Sequence, residues 1–124
     1  MEYSIEYHPR ESYIGLNLQG EPSLTEFERV SAEVGALMSK HHVIHLLVDA
    51  RQLITVGSTL DLFQFHSSHN DKFPPGVRIA GLVKPEHLQD GMFAENVAQN
   101  RGVMIKVFTD DVSAIAWLND RSDQ

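Results

Sequence analysis

The sequence predicts an α/β domain: two layers, a five-stranded mixed and mostly parallel sheet, and four helices in the order ββαβαβαβα. Three observations carry that reading. Val43-Ile-His-Leu-Leu-Val48 and Val77-Arg-Ile-Ala-Gly-Leu-Val83 are nearly continuous apolar runs, the mark of strands covered on both faces. Segments with apolar residues at helical spacing alternate with them. The last third then reads as the end of a helix stopped at Gly102, a strand over 103–108, and a final amphipathic helix to Leu118.

Taken in order, Tyr3-Ser-Ile-Glu-Tyr7 alternates polar and apolar residues as a half-buried strand does. His8-Pro-Arg-Glu11 is a turn, since Pro9 fixes φ and removes a donor. Ser12-Tyr-Ile-Gly-Leu-Asn-Leu18 alternates again, so an antiparallel hairpin is expected. Ser23 and Glu26 have capping-box spacing, with Leu24, Phe27, Val30, Val34, Leu37 and Met38 forming one helical stripe that ends at Met38. After the third strand, Ser58-Thr-Leu-Asp61 offers a second cap, and Phe73-Pro-Pro-Gly76 ends that helix. Pro85 opens a third helix. Asp110 caps the fourth, and 119–124 form a polar tail. Strands separated by helices need crossovers, so strands two to five should run largely parallel. A single domain spanning 1–124 is expected.

Composition narrows the function classes. The formal net charge is −7, from 17 acidic and 10 basic residues, and the basic residues never form a run. A nucleic-acid or anionic-membrane surface needs a concentrated basic face, so neither partner is expected. No apolar stretch approaches the roughly 18 residues of a membrane-spanning helix. There is no cysteine, which excludes disulfides and thiolate metal sites and points to a reducing, cytoplasmic setting. No nucleotide-binding or nucleophile motif occurs, so a non-enzyme without cofactor is the expectation and no catalytic residue is assigned.

The order of elements, Asp49 at the end of the third strand, and the residues from Asn100 through Gly102, Val107-Phe108 and Ala116-Trp-Leu118 together resemble the SpoIIAA-like proteins of the STAS and Sec14-like superfamily. That superfamily includes the anti-sigma-factor antagonists. The resemblance implies a regulatory module that binds a protein partner. In antagonists, a serine in an Asp-Ser-Ser-Gly-type motif at the start of the second helix is phosphorylated by a partner kinase. The matching stretch here is Val56-Gly-Ser-Thr-Leu60, which has no acidic residue before Ser58, carries its glycine ahead of the serine, and has Thr59 as its second hydroxyl. Sec14-like relatives bind apolar ligands, so a small apolar or anionic ligand is the alternative.

Two candidate sites follow. Ser58 and Thr59 at a helix start, with Arg51 and Lys84 at strand ends, would suit an anion or a phosphoryl group. The plainer reading makes Ser58 and Asp110 helix caps and leaves Arg51 and Lys84 solvated. Leu62, Phe63, Leu88, Met92 and Phe93 would form an apolar groove or interface, with a homodimer as one outcome. The plainer reading of these residues is core. Seven histidines raise the question of metal, with His41, His42 and His45 clustered and His66 and His69 three apart. No third ligand stands at a fitting spacing near the last pair, so no metal site is assigned, and His45 reads as a satisfied core residue.

Overall fold

The computed structural model describes residues 2–21, 24–53, 76–89, 92 and 104–119, with the backbone alone at 24, 25, 27 and 28. Within them, five strands form one sheet in the order β1-β2-β3-β4-β5: β1 Glu2–His8, β2 Tyr13–Gly20, β3 His45–Leu53, β4 Arg78–Leu82 and β5 Met104–Phe108. The hairpin β1–β2 is antiparallel, and the three remaining pairings are parallel. Among the described residues two α-helices accompany the sheet, α1 over Leu24–His41 and α2 over Asp111–Leu118. Of the four helices expected, that starting at Ser58 lies outside the described residues. The one expected from Pro85 is described only at its start, where Pro85–His87 is a 3-10 turn with Pro85 in its first turn. Ser23 also lies outside the described residues.

Strand periodicity of two sorts the side chains onto two faces. Ile14, Leu16 and Leu18 of β2, Leu46 and Val48 of β3, and Ile79 of β4 meet Val30, Val34 and Met38 of α1 in the main core. These three helix residues recur every fourth position and are almost completely buried. Burying such a side chain contributes about 1.5–3 kcal/mol, so this stripe anchors the helix to the sheet. The phenol of Tyr3 on β1 donates to Glu33 Oε1 on α1 at 2.9 Å, tying the hairpin edge to the same helix.

The expected two-layer arrangement needs correction. Ala114 and Leu118 of α2 pack with Leu47, Ala80 and Leu82, which point to the face opposite α1. The sheet is therefore covered on both sides, by α1 on one and α2 on the other. The last helix takes the second apolar face that β3 and β4 offer. Two boundaries also move. Helix α1 runs three residues past Met38, and β3 continues to Leu53, so Asp49 and Arg51 lie within the strand.

Candidate functional site: a polar groove on the half-covered sheet face

Helix α2 lies over β3, β4 and β5. Beside it, the same face of β1, β2 and β3 forms a groove of about 200 Å³. Its floor follows from strand alternation. The even residues of β1, Ser4, Glu6 and His8, lie directly opposite Asn17, Gly15 and Tyr13 of β2. Asn17 and Gly15 in turn pair with Asp49 and Leu47 of β3. Asp111 and Ile115 of α2 close one side.

Three features shape this surface. The rings of His8 and Tyr13 stack with centroids 4.4 Å apart and planes 14° from parallel. Gly15 gives that stack its room: a Cβ there would meet His8 Nε2 at 3.4 Å and the Tyr13 ring at 3.7 Å. Glu6 reaches His8 Nε2 at 3.5 Å.

The register then shifts, with Asn17 paired to Asp49 but Gln19 paired to Gln52. The extra residue in β3 has the effect of a bulge, which re-aims side chains. Ala50 and Leu53 both pack toward α1, and Arg51 between them turns back over Asp49. Arg51 donates to Asp49 through its backbone N–H at 3.1 Å, through Nε at 3.0 Å and through a terminal guanidinium nitrogen at 2.8 Å. Burial pushes the Asp49 carboxyl up, but the guanidinium and backbone hydrogen bonds and the charge of Arg51 outweigh it and hold the group below the usual carboxylate range.

Electrostatically the groove is acidic. Its lining carries the carboxylates of Glu6, Asp49 and Asp111 against one guanidinium, that of Arg51. Tyr13 feels this field: burial raises its phenol pKa first, and the charges of Glu11, Glu6 and Asp111 raise it further. In the floor, Asn17 Oδ1 is buried and accepts no hydrogen bond from a described residue.

The sequence-predicted site residues are placed as follows. Arg51 is committed to Asp49, so an anion at the strand ends would have to compete with that carboxylate. Lys84 is exposed just after β4, at the carboxyl end of the strand beside β3. Ser58 and Thr59 lie outside the described residues, as do Leu62, Phe63, Phe93, His66 and His69. Leu88 packs against the α1-side core, whereas Met92 is 54% exposed, so these two do not share one environment. Asp110 is a helix cap, accepting from the Ser113 backbone N–H at 2.8 Å. His41 stacks on Tyr7 with ring centroids 4.0 Å apart, and His42 ends α1. His45 is only half buried, and among the described residues its Nδ1 has no hydrogen-bond partner, so the reading of it as a satisfied core residue is corrected. Among the described residues no group of three histidine or carboxylate side chains could hold a metal ion.

Sheet order, the parallel β2–β5 block and helices on both faces define an α/β fold in which a hairpin edge and a C-terminal helix frame one half-open face. The SpoIIAA-like family profile matches residues 13–119, and the chain belongs to that family. Two solved structures share the fold over nearly its whole length. One is an uncharacterized protein of the DUF3478 family with a SpoIIAA-like fold from Shewanella loihica PV-4. It is 18% identical, with a TM-score of 0.62 and coverage of 94% of this chain and 92% of that one. The other is an anti-sigma factor antagonist from Mycobacterium paratuberculosis, 11% identical, with a TM-score of 0.65 and coverage of 96% and 94%. At these identities the likeness concerns the fold alone. No curated protein matches the sequence.

Proposed function

We propose that this chain is a regulatory protein-interaction module without enzymatic activity, acting in the cytoplasm as a single domain. The observation that carries the reading is its near full-length fold similarity to an anti-sigma factor antagonist, within the family to which the chain belongs. The contact surface is assigned to the helix expected from Ser58 and the segment after Pro85, where Leu62 and Phe63 supply apolar side chains and Met92 is exposed. Apolar residues on more than one face of that expected helix favour a partner, either a second copy or a different protein. Ser58 is read as the cap of its helix, with Lys84 and Thr59 as the polar rim of that surface.

The test is affinity capture from the native host with wild type and with Leu62→Asp, the fold of both checked by circular dichroism. The reading predicts a stoichiometric partner captured by wild type and lost from the folded variant. Equal capture by both would remove the proposed surface.

A further inference from the structure

The groove on the opposite side of the sheet from α1 is lined by none of the residues of that surface, yet it has the make-up of a recognition site. It combines an aromatic wall, the stacked His8–Tyr13 pair, with carboxylates from three elements: Glu6 on β1, Asp49 on β3 and Asp111 on α2. Arg51 offsets one of those charges through its ion pair with Asp49, which leaves Glu6 and Asp111 to set the sign of the groove. An anion would be repelled by this arrangement. A group that only donates hydrogen bonds and carries positive charge meets carboxylates and π faces together. At about 200 Å³ the groove is smaller than the roughly 300–1,000 Å³ typical of clefts for drug-sized ligands, and suits a head group with a short stem.

We propose that this groove binds an organic cation, a guanidinium or primary ammonium group carried by a free small molecule or by an arginine or lysine side chain of a protein. Glu6 and Asp111 supply the attraction, the His8–Tyr13 stack supplies the flat wall, and Gly15 keeps the floor open beneath it. Arg51 holds Asp49 in place and limits the net charge, so that one cation and not two is taken up.

The experiment is an amide-resolved NMR titration of the full chain with three probes: N-butylguanidinium, N-acetyl-arginine methylamide, and the neutral planar analogue N-butylurea. Saturable shifts at Gly15, Asn17 and Leu47 are expected with one or both cationic probes and not with butylurea. Stronger binding of butylguanidinium would mark a free small molecule as the source, and equal or stronger binding of the arginine derivative a protein side chain. The double variant Glu6→Gln/Asp111→Asn should weaken the cationic probes at least tenfold, with a smaller loss for Asp111→Asn alone. Both side chains are exposed, and retained dispersion of the spectrum verifies the fold. The proposal is overturned if neither cationic probe gives saturable shifts, if butylurea binds equally well, or if folded variants bind as wild type does. The proposed partner surface shares no residue with the groove lining, so failure here leaves that reading standing.

Discussion

His45 shows how one side chain couples burial to pH. It opens β3 directly beside Arg78 on β4. Arg78 is itself buried, with its guanidinium 4.3 Å from the centroid of the Trp117 ring. Burial lowers the His45 pKa first, and the Arg78 charge lowers it further. The folded state thus binds the proton less readily than the unfolded chain, whose imidazole titrates near the ordinary value of 6.5. By linkage, the unfolded state binds more protons as pH falls through that value, and stability falls with it. Urea denaturation of wild type and His45→Gln between about pH 7.5 and 5 checks this. Wild type should lose stability on acidification over that window, and the variant should show a flatter dependence there. Other residue-scale features were only partly legible. The alternation of Tyr3, Ile5 and Tyr7 with Ser4 and Glu6 marks two distinct faces of β1, whereas His8, expected in the turn, ends the strand. Nothing local announced that Arg51 would fold back on Asp49, because that geometry depends on the register shift against β2.

Helix α1 ends in an unusual way. His42 takes φ 56°, in the left-handed region that glycine normally fills. The Val43 N–H donates to the Met38 carbonyl at 2.9 Å and the His42 N–H to that of Ser39 at 3.4 Å. This is a Schellman end without its glycine. The missing glycine explains why the apolar stripe, which stops at Met38, understates the helix. A side chain in that conformation carries strain, partly offset by the backbone entropy that glycine gives up on folding. His42→Gly should therefore stabilise the protein by about 0.5 kcal/mol, measured by chemical denaturation. Unchanged or lower stability would show that the His42 side chain contributes more than its backbone costs. The other helix, α2, was read correctly from its Asp110 cap and apolar spacing. Its place on the far face was not legible, because amphipathicity states that a face is buried and not against which side of a sheet.

At the scale of the whole molecule, periodicity carried the hairpin and the parallel block, since apolar runs and crossover lengths leave few alternative topologies. The groove was harder to see. Its residues come from β1, β2, β3 and α2, and only the sheet register brings Glu6, Gly15, Leu47 and Asp111 to one surface. The central claim is that this SpoIIAA-like domain works by binding another polypeptide. Native mass spectrometry of the tagged chain, purified gently from its own host, tests it most directly. The account predicts a discrete complex with a second polypeptide, lost in the folded Leu62→Asp variant. A chain free of polypeptide partners but stoichiometrically loaded with an apolar small molecule would contradict it.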